Sequence, residues 1–229
     1  MADPSGVHHI ALMTKDMKGQ IEFFTDVLGL PLVGLFDMHG VPGAWHAFLR
    51  LDDTCYLALC MVPGVESVAS TLGVTHAGTG AGVSAPGTLQ HLAFKVNDEA
   101  ELVALRDRIR SRGINVFGPI DHGMCRSIYF AGPEGLALEA AWSAAAVDGR
   151  AWVDPAVCAA AGISADEMQR YMNPPAFAAA ASPLPQPPVD PAKPHLAYPA
   201  DEYARMVATP DHLVTQYASY PDPPMKAAG

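Results

Sequence analysis

With 229 residues, half of them hydrophobic, the chain is long enough to bury a sizeable core and fits one large domain or two small ones. Its 24 acidic against 14 basic residues give a formal net charge of −10, and no Lys/Arg cluster stands out, which argues against nucleic acid and anionic membrane surfaces as partners. No window approaches the apolar length of a membrane span, the opening MADPSGVHHIALMTKD lacks an export pattern, and Cys55, Cys60, Cys125 and Cys158 form no C-x-x-C pair. The expectation is a cytoplasmic protein with reduced thiols.

Taken in chain order, the first segment is an apolar run of strand length, His9 to Met13, followed by Asp16 where a helix N-cap would sit. Met17, Ile21, Phe24 and Leu28 then keep helical spacing until Gly29. Three short strand-like runs follow, Leu30 to Phe36, Trp45 to Leu51 and Cys55 to Val62. The same order recurs. His91-Leu-Ala-Phe repeats His9-Ile-Ala-Leu, and Asp98 stands seven residues after His91 just as Asp16 stands seven after His9. Leu102, Leu105 and Ile109 mark a helix that ends at Gly113, with Asp98 and Glu101 spaced as a capping box. Strand-like runs at Ile114 to Phe117, Ser127 to Phe130 and Leu136 to Trp142 complete the second copy.

The fold expected is therefore α+β: two tandem βαβββ modules forming a cupped mixed sheet. The modules span residues 6–62 and 88–145 of a domain at 1–145, joined by a Gly/Ser/Thr-rich linker at 63–87 of the length typical of lids. Residues 146–229 turn Ala- and Pro-rich and read as a C-terminal arm, wrapping or partly disordered. In it, Ser164 and Glu167 cap a short helix to about Met172, and two more helices are expected at Asp201 to Val207 and Leu213 to Tyr217.

The repeat makes His9 and His91 pseudo-symmetry mates and puts Glu139 on the closing strand of the second module. With the modules paired about a local two-fold axis the three converge. Two imidazoles and a carboxylate suit Fe(II) or Mn(II) with open positions, and would also bind Zn(II), Ni(II) or Co(II). The plainer alternative, two strand histidines and a surface Glu, has to place a carboxylate inside the apolar run Leu136-Ala-Leu-Glu139-Ala-Ala-Trp142, which is costly without a counter-charge. His8 alternates to the opposite strand face and is not expected to ligate. Aligning Leu57-Ala-Leu-Cys60 with Leu136-Ala-Leu-Glu139 puts Cys60 at the repeat position of Glu139.

Over residues 6 to 145 the chain resembles the vicinal oxygen chelate superfamily, which includes glyoxalase I, methylmalonyl-CoA epimerase, bleomycin-resistance proteins and type I extradiol ring-cleaving dioxygenases. The resemblance rests on GVHHIALMTKD, FFTDVLGLPLV, LQHLAFKV and above all IDHGMCRSIYFAGPEGLALE, which looks like the extradiol signature through His122, Ile128, Tyr129, Pro133, Gly135 and Glu139. Gly132 departs from the residues usual at its place.

The resemblance implies that His122 handles a proton and Tyr129 hydrogen-bonds a substrate oxygen at the metal. A second departure is Arg50, standing where ring-cleaving members carry a catalytic His; arginine stays protonated and cannot shuttle protons. It either clamps a substrate carboxylate or is solvated beside Asp52 and Asp53. His46, on the same strand face, is the candidate stand-in. Glyoxalase I and the epimerase take a fourth ligand at the strand position assigned to Cys60, which as a buried Cys is a small hydrophobe.

Three activities follow. The first is an Fe(II) or Mn(II) dioxygenase acting on a catechol-like or other vicinal-oxygen small molecule with dioxygen. The second is a glyoxalase- or epimerase-type lyase or isomerase, and the third a non-catalytic small-molecule binder. A homodimer is the expected assembly, by resemblance.

Overall fold

The computed structural model describes residues 3–225, so the extreme ends of the expected 1–145 and 146–229 spans, residues 1–2 and 226–229, lie outside the described residues. The protein is α+β, with two four-stranded mixed sheets built from two βαβββ modules. In the first, β1 (His9–Met13), β2 (Leu32–Asp37), β3 (Trp45–Arg50) and β4 (Tyr56–Met61) are ordered β1-β4-β3-β2, with β1 parallel to β4 and the other pairs antiparallel. In the second, β5 (Leu92–Lys95), β6 (Val116–Asp121), β7 (Arg126–Ala131) and β8 (Ala137–Trp142) repeat that order and sense as β5-β8-β7-β6. The strands of the two sheets are not hydrogen-bonded to each other, so the cupped sheet consists of two halves.

Local chemistry sets both helices. Helix α1 (Met17–Glu22) starts at Asp16, whose carboxylate accepts from the Gly19 amide, and passes into a π-helical turn at Phe23–Val27 where the Thr25 hydroxyl donates to Ile21 O. Gly29, at φ +84°, ends it. Helix α2 (Glu99–Ser111) starts at Asp98, which accepts from Glu101 N. The expected capping box is only half formed. Glu101 reaches back to Asn97, accepting from its backbone N and its side-chain Nδ2 at 2.9 Å each, and not to the Asp98 amide. Strand β6 also runs on past its expected end at Phe117, through Pro119 to Asp121, over a bulge between Phe117 and Ile120 that accommodates the missing proline donor.

Alternation gives each sheet a core face and an open face. Leu12, Ala47, Leu49, Leu57 and Leu59 of the first sheet, and Leu92, Phe94, Ile128, Phe130 and Leu138 of the second, are buried in one continuous core with Phe24, Leu102 and Ile109. Phe24 meets Phe94 edge-on at 6.3 Å, and Arg108 Nε donates to Val27 O at 2.8 Å, so helix-borne side chains tie the modules together. The opposite faces, carrying His9, Phe48, Arg50 and Tyr56 on one sheet and Glu139 and Tyr129 on the other, are turned away from this core.

The chain divides into two units. Gly6–Pro175 contains both modules and the short helices α3 (Gly149–Trp152), α4 (Pro155–Ala160) and α5 (Ala165–Met172). Helix α5 has the expected Ser164–Glu167 capping box, whereas α3 and α4, started by the Asp148 and Asp154 side chains, were not anticipated. The other unit takes in residues 3–5 and 176–225, with α6 (Ala200–Ala208) and α7 (Asp211–Tyr217), neither of which buries a side chain. Among the described residues no helix is long and apolar enough to cross a membrane.

Candidate functional site

Strand alternation sets Glu139 of β8 on the open face of the second sheet, directly across from Tyr129 of β7. Its side chain is 7% exposed, and His91, the residue before β5, brings Nε2 to 2.9 Å from Glu139 Oε2. The other ring nitrogen of His91 is also committed: Nδ1 donates to Gln90 Oε1, an acceptor, which leaves Nε2 as the nitrogen turned toward Glu139 and the one a metal would take. Gln90 in turn donates through Nε2 to Thr79 O at 3.1 Å and Gly82 O at 2.9 Å. The linker thus fixes the orientation of His91. Nothing in the sequence pattern marked Gln90, because a glutamine beside a histidine has no periodicity to betray it.

Tyr129 and His122 extend the cluster. The Tyr129 hydroxyl lies 3.0 Å from His122 Nε2, and burial first, then the charge of Glu139, push the phenol above its ordinary range, so it stays protonated. Gly80 of the linker lies over the ring: a Cβ there would come within 3.1 Å of Tyr129 Cε1. A side chain at this position would require the Tyr129 ring or the linker to give by a few tenths of an ångström.

His9 lies on the first sheet instead. Its Nδ1 is 2.9 Å from His8 Nδ1, and its ring meets Phe48 at 5.7 Å. His8 does not face the opposite way as alternation suggested. It precedes the first residue of β1, and its ring packs at 5.5 Å against Tyr56, the register partner of His9. Among the described residues no three His, Cys, Asp or Glu side chains stand close enough together to hold a metal. The chain therefore brings His91 and Glu139 together, and His9 stands apart from them with the aromatic cluster of the first sheet.

Register also corrects the repeat alignment. Ile10 pairs with Leu57 and Leu92 with Leu138, so the first-module counterpart of Glu139 is Ala58, opposite Ala11, and not Cys60 two residues on. Cross-strand pairs agree, since Phe48 faces Ala58 as Tyr129 faces Glu139. Ala58 is fully buried and offers no donor. Burial raises the Cys60 thiol above its ordinary range, which keeps it neutral.

His46 and Arg50 share the open face of β3 with Phe48 between them. The His46 ring packs 4.4 Å from Phe48, its Nε2 is buried without a hydrogen-bond partner among the described residues, and its pKa is lowered, first by burial and then by His9. Arg50 forms no ion pair or side-chain hydrogen bond among the described residues; Asp52, one expected neighbour, accepts instead through Oδ1 from Thr54 N and Cys55 N at 2.8 Å each. A pocket of about 370 Å³ opens beside Arg50, walled by Phe36, Phe48 and Tyr56.

This fold, with paired open faces and a His/Glu pair on one of them, defines a class, and comparison with known proteins agrees. Residues 6–140 match the Glyoxalase/Bleomycin resistance protein/Dioxygenase superfamily, and the chain belongs to it. Among solved structures it is similar to a glyoxylase/bleomycin resistance protein/dioxygenase domain from Frankia, with 19% identity over 62% of this chain and 99% of that one and a TM-score of 0.49. It is similar to a fosfomycin resistance protein from Listeria monocytogenes complexed with Mn(II), at 17% identity, 65% and 99% coverage and a TM-score of 0.43. A third is a lactoylglutathione lyase from Agrobacterium tumefaciens, at 23% identity, 66% and 98% coverage and a TM-score of 0.42. A comparison with curated proteins finds no match.

Proposed function

We propose that the protein is a metal-dependent oxygenase of extradiol type, acting on a catechol-like or other vicinal-oxygen small molecule. The observation that carries this reading is the His91–Glu139 pair, held by Gln90 on one side and continued through Tyr129 to His122 on the other. The donor set suits a divalent ion: an imidazole Nε2 and a nearly buried carboxylate already lie side by side, and His9 is the third ligand. Iron(II) is the preferred metal, with Mn(II), Zn(II), Ni(II) or Co(II) as substitutes; bound there, Fe(II) would supply the electrons that activate dioxygen.

The chain's own residues do the rest. Tyr129, kept protonated, donates a hydrogen bond to an anionic oxygen of the substrate. His122, in contact with that hydroxyl, takes the proton released when the substrate is deprotonated. Ala58, where a fourth ligand would come from, leaves the site open, which favours oxygenase chemistry over the glyoxalase or epimerase type. Because His9 is not within ligating distance of the pair in a single chain, a homodimer that sets the first sheet of one copy against the second sheet of another is the assembly that completes the triad.

The test is metal analysis of the purified protein, then anaerobic Fe(II) loading and oxygen uptake against a catechol panel. One iron per chain and substrate-dependent uptake, lost in His91→Ala, is the expected result. Bound zinc, nickel or cobalt with no uptake would transfer the site to lyase or isomerase chemistry, and no metal binding under any condition would leave a small-molecule binder.

A further inference from the structure

The pocket beside Arg50 has a chemistry of its own. Phe36 and Phe48 stack with centroids 5.9 Å apart and planes 8° from parallel, and Tyr56 meets Phe48 edge-on at 6.0 Å. Gly34, the register partner of Phe48, contributes to the wall without a side chain; a Cβ there would come within 3.3 Å of the Phe36 ring. The Tyr56 hydroxyl donates to Asp53 O at 3.2 Å, which orients its ring along the opening. Arg50 pairs with Tyr56 in the strand register and brings to the same opening a guanidinium without a partner among the described residues.

From this we infer that the first sheet's open face binds a flat aromatic monocarboxylate, its ring against Phe48 and Tyr56 and its carboxylate on Arg50. Aromatic walls favour a π-face over an aliphatic ring of equal size, and a guanidinium fork matches a carboxylate in bidentate fashion. The volume of about 370 Å³ is at the small end of ligand pockets and suits one or two fused rings. Asp53 on the rim adds a negative charge that opposes a dianion, so a carboxylate is preferred to a phosphate monoester. The inference deepens the oxygenase reading by naming the substrate class, and rests on that reading only in taking this face, beside His9, as the substrate face.

The test is calorimetric titration of the full-length, chelator-treated protein with 2-naphthoate, 2-naphthamide, decahydro-2-naphthoate and 2-naphthyl phosphate. Naphthoate binds at least tenfold more tightly than the other three, Arg50→Gln weakens it at least tenfold, and Gly34→Leu, which fills the pocket, abolishes it. No naphthoate binding by the parent chain, or equal binding by Arg50→Gln, overturns the inference. Arg50 is an exposed strand-end residue whose substitution does not disturb the core, so this arm is decisive even if Gly34→Leu fails to fold. Because the titration is metal-free, a failed oxygenase assay and a failed carboxylate site give separate results.

Discussion

Glu134 and Gln20 are separated by 114 residues, yet the Gln20 amide donates to Glu134 Oε2 at 2.7 Å, and the other carboxylate oxygen accepts from Lys15 N at 3.0 Å. Glu134 sits in the β7–β8 turn at φ +54°, the one non-glycine residue with positive φ among those described, and ties that turn to the segment joining β1 to α1. A left-handed glutamate costs roughly 1 kcal/mol, and charge-assisted hydrogen bonds that it alone can make offset this. Glu134→Ala keeps the strain and loses the bonds, for a loss of about 2 kcal/mol and a Tm lower by roughly 5 °C. Glu134→Gly loses the same bonds but relieves the strain, and should melt between the parent and Glu134→Ala in calorimetry.

The same contact predicts a pH response. Burial would raise the Glu134 pKa, but the hydrogen bonds from Thr14, Gln20 and the Lys15 backbone outweigh it and hold the carboxyl below its ordinary value of 4.5. A carboxyl lowered in the folded state contributes stability that is fully present above the unfolded pKa and is lost as pH falls through the folded one. Urea midpoints of the parent should therefore fall below about pH 4.5 more steeply than those of Glu134→Gln, whose side chain cannot titrate. Parallel curves would remove Glu134 from the acid response.

Much of the module fold was legible because local chemistry and tertiary structure agree there. His9 to Met13 is a strand with the bounds read from the apolar run, and Asp16 and Asp98 both cap helices. The site was legible only as far as residue type carries it. A match of three apolar residues aligned Cys60 with Glu139, but pairing with β1 and β5 shifts the true counterpart to Ala58, because register is set by neighbouring strands that a string match does not see. His8 escaped the alternation rule by lying outside the strand. The Gln90 contact depends on a linker without periodicity, which folds back over Tyr129.

That linker contact makes Gln90 the support of His91. With its Oε1 removed, Nδ1 loses its acceptor and the ring is no longer held with Nε2 toward Glu139. Gln90→Leu should lower divalent-metal affinity by roughly 10–100-fold with little change in Tm. Gln90→Glu keeps an acceptor for Nδ1 but sets a carboxylate oxygen against Thr79 O and Gly82 O, where Gln90 donates, and should recover only part of the affinity. Equal affinity in Gln90→Leu and the parent, measured by competition with a metal-sensitive dye, would show that the bond does not position the ligand.

A mixing experiment decides how His9 reaches the pair formed by His91 and Glu139. Each open face carries part of the donor set, and the faces of one chain are turned away from their shared core. If the triad forms between two copies, His9→Ala and His91→Ala chains are each deficient alone, because every site in either homodimer lacks a ligand. A mixed dimer differs. One of its two sites takes His9 from the His91→Ala chain and His91 with Glu139 from the His9→Ala chain, and is intact, while the other lacks both histidines. Co-refolding the two variants in equal amounts yields about half the dimers mixed, so roughly a quarter of the parent's metal-binding sites should return. If each chain closes its own triad, no combination of the two variants holds an intact site and recovery stays at zero.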